Sequence, residues 1–514
     1  MKGFYCLLIL VLSLCLISCR TNEPSERETD ILEGYVPSSS LVSIPTTNLE
    51  KVNVKSTFDI SNHTNDGTDK VYPYSVFGNG MCIQRDAVNH IWGWADGAAN
   101  IAISFRDRVY YGSVDAEGNW SVYLPMMTAG GPYEMTIISD VGRITLTDVY
   151  VGEVYLLCGQ SNMEWKTIWS GNTMADLFAD PKACLNEEIR FLNLAANHSR
   201  VPVKRFPSGS DWDYARAESI KYFSAIGYLF GKQMQEELGC PVGLVSTAVG
   251  GSVIEYWLSD ANYKRVKEQY TPITSTDPLF TPSLGYNGLI YPLSGLTFRG
   301  CLWYQGCSNT IGTQAKYDIA LEILIEQFRE EFNNPNMTFT LFELARFNQN
   351  LLGYSIINER INVVAKKDPY VIKVLNLDLG EWDNIHPQDK KVIAKRGTDE
   401  TLKNFYGITD KPCAPEIESY TFNEDGTVTI VLTEEVDLVN GNASFEVFTN
   451  IGYVENCNVF VNGNVLTISS DVEFTKVRYG YRVTVTDEMK QDVSKIVSVY
   501  DKEGLPLDLF IIEK

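Results

Sequence analysis

Over residues 71–148 hydrophobic positions come in short alternating runs broken by turn residues. The stretches 101–105, 120–124 and 133–138 alternate in the manner of strands with one buried face. Asp96-Gly97, Glu117-Gly118-Asn119 and Gly130-Gly131-Pro132 separate them, and strands so spaced predict an antiparallel β-sandwich. After Val149 the period changes. Residues 149–158 are almost continuously apolar, the mark of a strand buried on both faces of a parallel sheet. Apolar residues at helical spacing over 223–238 stop at Gly239, and a strand over 242–246 follows. A helix over 317–332 precedes a strand over 337–342, and another strand runs over 371–377. This alternation predicts an α/β domain over 149–410. Alternating strands return beyond it, at 427–432 and again at 481–485, so 411–514 reads as a second β domain. No repeat or low-complexity tract interrupts the chain.

Composition narrows the classes. A length of 514 residues accommodates two to four domains, and 44% hydrophobic with 21% charged residues is an ordinary globular balance. A net charge of -22 argues against nucleic acid as a partner, since binding phosphate backbones needs clustered Lys and Arg. At the N-terminus Met1-Lys2 precedes an apolar run, residues 4–17, shorter than the ~20 residues of a membrane span. It ends in Leu16-Ile17-Ser18-Cys19, which resembles the lipobox of bacterial lipoproteins. That resemblance implies removal of the leader ahead of Cys19 and a lipid on its thiol. Residues 1–19 are then the signal, and 20–70 a polar tether and entry segment. The expectation is an exported bacterial lipoprotein of the periplasm or outer membrane, touching membrane only through Cys19. Eight further cysteines contain no CxxC pair, so a zinc site has no support; no metal or cofactor is expected.

Only four histidines are present, which permits elimination. His63 lies in the entry to the first β region, His90 ahead of a sandwich strand, and His198 in the polar stretch Asn197-His198-Ser199-Arg200. His386 stands in Asp383-Asn384-Ile385-His386-Pro387, after the last predicted strand of the α/β domain. A carboxylate three residues earlier is placed to accept Nδ1–H and leave Nε2 free to take a proton. The nucleophile candidate is Ser161, in Cys158-Gly159-Gln160-Ser161-Asn162-Met163, at the carboxyl end of the first α/β strand. Open α/β sheets bind ligands at such ends. Taken alone, Ser161 fits a helix cap equally well.

Residues 151–163, Val-Gly-Glu-Val-Tyr-Leu-Leu-Cys-Gly-Gln-Ser-Asn-Met, resemble the first block of the sialate O-acetylesterase family within the SGNH hydrolases. Gly250-Gly251-Ser252-Val253-Ile254-Glu255-Tyr256-Trp257 resembles its second block. Tyr286-Asn287-Gly288 and Trp303-Tyr304-Gln305-Gly306-Cys307-Ser308-Asn309 resemble the third region, and 383–387 the last. Met81-Cys82-Ile83-Gln84-Arg85 extends the likeness into the sandwich. The resemblance implies a central flavodoxin-like, three-layer SGNH domain with β-sandwich-like domains on either side. It implies Ser161 as nucleophile, His386 as base and Asp383 as the orienting carboxylate. The oxyanion hole falls to the N–H of Ser161, Gly250 or Gly251 and the Gln305 amide, with Asn309 as the alternative amide. Gln160, Asn162, Glu255, Asn287 and Asn309 are the implied substrate contacts. The implied substrate is an acetylated sugar, foremost 9-O-acetyl sialic acid, cleaved through an acetyl-serine.

This sequence departs from the family pattern in three places. Cys307 stands where the third block usually has Glu, the usual Asn-Asp order is Asp383-Asn384 here, and 259–284 is too short for an inserted β domain. Asp378 and Glu381 are fallback carboxylates. Two rival readings stay open, an esterase for acetylxylan or another glycan, and a glycan-binding lipoprotein of weakened activity. Trp257 and Trp303 are candidate sugar platforms, with core packing the competing role.

Overall fold

The computed structural model describes residues 40–514 apart from 53, 63–69, 207–210, 274 and 482–483. The expected leader with Cys19, residues 20–39 of the expected tether and His63 lie outside the described residues.

One long strand, β1 (Arg143–Gly159), belongs to two sheets. Its first part pairs antiparallel with Gly130–Ser139, which pairs in turn with Ile101–Phe105. From Val149 onward every residue of β1 is buried, which is where the unbroken apolar run begins. A second antiparallel sheet, Val71–Pro73, Asn89–Ala95, Asn119–Leu124 and Ser113–Val114, packs through Ile91, Trp120 and Val122 into the same hydrophobic core. His90 lies within the strand Asn89–Ala95 rather than ahead of it.

The strands that follow are β2 (Asn186–Asn193), β3 (Trp212–Ala215), β4 (Val242–Ser246), β5 (Gly300–Tyr304), β6 (Thr338–Phe342) and β7 (Val371–Val374). Their order is β3-β2-β4-β1-β5-β6-β7, parallel throughout except between β2 and β3. The chain leaves β1 toward one side of the sheet and later returns to build the other. The neighbouring connections diverge there and open a crevice at the carboxyl end of β1. The helices include α1 (Ser161–Glu164), α2 (Ala225–Leu238), α3 (Tyr317–Glu331), α4 (Leu351–Lys367) and α5 (Lys391–Tyr406). Alternate strand residues face opposite sides. A side chain at Gly227 of α2 would collide with Leu157, while Trp303, level with Cys158, packs edge-on against Phe328 of α3. Helices therefore cover both sides of the sheet.

A buried ionic group ties these parts together. Glu153 of β1 accepts from Arg85 Nε at 2.7 Å, Arg299 Nε at 2.9 Å and Gln84 Nε2 at 2.9 Å. Arg299 also donates to the Val42 carbonyl at 2.7 Å, so one carboxylate joins the sandwich, β1 and the entry to β5. The C-terminal strands form two four-stranded sheets and a two-stranded one around a core of their own. They dock where Arg346 Nη2 and Ser355 Oγ donate to the Gly480 carbonyl at 2.7 and 3.1 Å. The strand expected over 481–485 is found earlier, at Lys476–Tyr479, with 482–483 outside the described residues. The eight described cysteines are free thiols. Among the described residues no helix is long and apolar enough to cross a membrane, and no cluster is suited to a metal ion.

Candidate active site

The turn that presents Ser161 is shaped by backbone contact. β1 ends at Gly159, φ 128°, where a Cβ would collide with the Tyr304 carbonyl of β5. Gln160 stays extended and donates its N–H to that carbonyl at 2.9 Å, and its Oε1 accepts Gly306 N–H at 3.0 Å. α1 then starts at Ser161, whose N–H is among the leading donors that a helix leaves without an internal acceptor.

His386 reaches this turn from 225 residues away, its Nε2 lying 2.7 Å from Ser161 Oγ. Asn162 clasps the two segments together. Its Nδ2 donates to the Ile385 carbonyl at 3.1 Å and its Oδ1 accepts Lys390 Nζ at 2.7 Å. Within the histidine loop, Asn384 Oδ1 accepts the His386 N–H at 3.0 Å, and Glu381 accepts Asn384 Nδ2 at 2.9 Å and Gln388 N–H at 2.6 Å. The imidazole stacks on Trp165, centroids 4.9 Å apart and planes 24° off parallel. Burial first, and then the Lys390 charge, hold the imidazole below its ordinary value. Burial likewise pushes Lys390 down to about 7, and pushes the Cys307 thiol up to about 11, so the position of the family's usual Glu is uncharged at neutral pH.

Several expected site residues have other roles. Asp383 is exposed and accepts Asn348 Nδ2 at 2.8 Å instead of reaching His386; in the Asp-Asn order it is Asn384 that turns inward. Asp378 is held bidentate by Arg396 at 2.7 and 2.9 Å, and Glu381 serves the loop backbone, so neither fallback carboxylate meets the imidazole. Gln305, expected as an oxyanion donor, directs its Nε2 to the Ser252 carbonyl at 3.0 Å and Asn309 Oδ1 at 2.8 Å. Asn309 in turn donates to Glu255 at 3.1 Å, and Glu255 accepts Tyr270 Oη at 3.0 Å. Glu255 and Asn309 are therefore links in a buried network that braces the second block against the third. Asn287 is buried too, donating to the Ser199 carbonyl at 3.2 Å. Gln160 and Asn162 are 2% exposed and position backbone rather than face solvent. Trp257 and Trp303 are core residues at 0% exposure. The glycine turn does meet Ser161, since a Cβ on Gly250 would lie 3.3 Å from Ser161 Cβ. Its N–H is held at 2.7 Å by Glu164 Oε2, while the Gly251 carbonyl accepts Ser308 Oγ at 2.8 Å.

Sequence reasoning missed Glu164, Trp165 and Lys390. The first two directly follow the Ser-Asn-Met motif and Lys390 lies four residues after His386, so proximity in the chain was the available signal.

The family of carbohydrate esterases described as sialic acid-specific acetylesterases matches residues 151–394. The sialate O-acetylesterases of Homo sapiens and Pongo abelii are each 27% identical over 361 residues, covering 63% of this chain and 68% of theirs. A carbohydrate acetylesterase from Xanthomonas citri superposes with a TM-score of 0.76 at 25% identity, over 86% of this chain and 100% of that one. The matched segment runs from the strand before Ser161 into the helix after His386; over it the chain is similar to the sialic acid-specific acetylesterases among carbohydrate esterases, and it is a carboxylic ester hydrolase.

Proposed function

We propose that the chain removes the 9-O-acetyl group of sialic acid through an acetyl-Ser161 intermediate. The observation that carries this reading is the 2.7 Å contact between Ser161 Oγ and His386 Nε2 at the crevice beyond β1. His386 takes the hydroxyl proton as Oγ attacks the acetyl carbonyl carbon. The oxyanion faces the Ser161 and Gly250 N–H groups, displacing the Glu164 carboxylate from the latter. Collapse breaks the ester bond, and His386 returns the proton to the departing sugar oxygen. Water, deprotonated by the same imidazole, then releases acetate and restores Ser161. While the imidazolium exists, Trp165 presents an aromatic face to its charge. Both glutamine and asparagine of the third block act through the packing of that turn.

The strand order and the helices on both sides of the sheet support reading residues 149–410 as a three-layer SGNH domain with β domains on either side. The lipobox-like Leu16-Ile17-Ser18-Cys19 supports a lipid anchor on Cys19 and export to the periplasm or outer membrane, checked by radiolabelled palmitate incorporation in a bacterial host.

Ser161→Ala is expected to lower acetate release from 9-O-acetyl sialic acid at least a thousandfold; undiminished turnover removes Ser161 from the mechanism. Acetylxylan assayed in parallel tests the sugar, and a higher kcat/KM on xylan reassigns the substrate while leaving the serine chemistry in place.

A further inference from the structure

Glu164 follows Ser161 by three residues on the single turn of α1, a spacing that brings two side chains to one face. Its Oε2 accepts the Gly250 N–H at 2.7 Å. A Cβ on Gly250 would lie 3.1 Å from that oxygen and 3.3 Å from Ser161 Cβ, so the carboxylate meets the glycine turn on its Ser161 side. This is the amide that the proposed mechanism assigns to the oxyanion. Glu164 is half-buried, and among the described residues no Lys or Arg comes within ion-pair distance of it. The Gly250 N–H is also its one side-chain hydrogen bond among the described residues, so the carboxylate is held there and nowhere else.

An acetylesterase releases a carboxylate at the place where it polarises a carbonyl. Donors arranged for a developing oxyanion hold an ionised oxygen about twice as strongly as a neutral one, so they favour the product acetate over the ester. We propose that Glu164 is a specificity residue of this site, a tethered counterpart of acetate that yields to a neutral ester and excludes a free carboxylate. The inference rests on the serine mechanism above. An ester carbonyl has only to displace the Glu164 carboxylate, whereas acetate must displace it and then lie beside its like charge. Tethering strengthens the exclusion, because a group fixed three residues from Ser161 competes at an effective concentration of about millimolar or more. After water has released the acetyl group, the return of Glu164 to the Gly250 N–H drives acetate out of the crevice.

Inhibition of p-nitrophenyl acetate hydrolysis by sodium acetate tests this on the full chain at neutral pH and fixed ionic strength, with acetamide as the uncharged control. Glu164→Gln keeps the shape and an oxygen for the Gly250 N–H and removes the charge. Its acetate inhibition constant is expected to fall at least tenfold, its KM by less, and its acetamide constant by under threefold. Glu164→Ala removes the tethered group altogether and is expected to lower the acetate and acetamide constants together. An unchanged or raised acetate constant in the glutamine variant overturns the proposal, as does an equal fall for acetamide. A tenfold loss of kcat with KM and the acetate constant unmoved also overturns it and makes Glu164 a brace of the glycine turn. Turnover lost in Ser161→Ala beside unaltered acetate inhibition in Glu164→Gln leaves the serine reading standing and sinks only this one; turnover that survives Ser161→Ala sinks both.

Discussion

His386 sits between a ring face that favours its charged form and an ammonium that opposes it. Burial and Lys390 together hold the imidazole below 6.5, so the base stays neutral, and kcat/KM is expected to persist, into mildly acidic solution. Lys390→Met removes one of those two causes. The imidazolium then becomes easier to form, the pKa of His386 rises, and the acid limb of the kcat/KM profile is expected to move to higher pH; an unmoved limb refutes the coupling. Asp383 offers a sharper contrast. Removing the carboxylate of a working Ser-His-Asp triad costs about 10⁴ in kcat. Because Asp383 bonds Asn348 rather than the imidazole, Asp383→Ala is expected to stay within about threefold of the parent kcat. A drop of a hundredfold or more means that the carboxylate swings in during turnover.

Among elements, the junction of β1 and α1 governs how Ser161 is presented. The apolar run over 149–158 was legible because a strand covered on both sides has no solvent face to interrupt it. The helix expected over 223–238 begins at Ala225, since Ser224 is its cap, Oγ accepting the Gly227 N–H at 3.1 Å. The strand expected over 371–377 stops at Val374 because the next residues bend away: Leu377 joins the C-terminal core and Asn376 donates to the Glu343 carbonyl at 3.0 Å. Apolar character reports burial and is silent about which backbone pairs with which. Gly159 is the residue on which the turn depends. Gly159→Ala combines a left-handed φ with a collision against Tyr304, a strain of about 1–3 kcal/mol. A lowered Tm together with at least a tenfold loss of kcat is expected; a parent-like variant shows the turn to be tolerant.

At the scale of the molecule, the Glu153 ionic group holds the N-terminal sheets on the parallel one. Burial alone raises a carboxyl pKa, but Arg299 and Arg85 outweigh it and hold Glu153 at about 2. A depressed folded-state value contributes stability that is complete above the ordinary value of 4.5 and is lost as pH falls from there toward 2. Glu153→Gln leaves two buried guanidiniums with only the Asp86 carboxylate, 3.8 and 3.9 Å away, as counter-charge, and breaking a buried ion pair typically costs about 3–5 kcal/mol. The variant is expected to unfold at lower urea concentration at pH 7, and its deficit to shrink as the pH approaches 2. A constant deficit across that range makes the contribution one of packing rather than charge.

Local order along the chain was enough to indicate the alternating strands, the buried β1, the serine turn at its end and, from four histidines and one motif, the histidine that meets that serine. Those features depend on neighbours in sequence, on burial periodicity and on residue scarcity. Tertiary structure alone decided that Asp383 looks outward, that the Gln305 amide is committed to the Ser252 carbonyl and Asn309, that Glu164 rests on the Gly250 N–H, and that Lys390 lies against Asn162. The physical reason is competition. Each polar group takes whichever partner the fold brings within about 3 Å, and most of those partners come from segments the chain order keeps far apart.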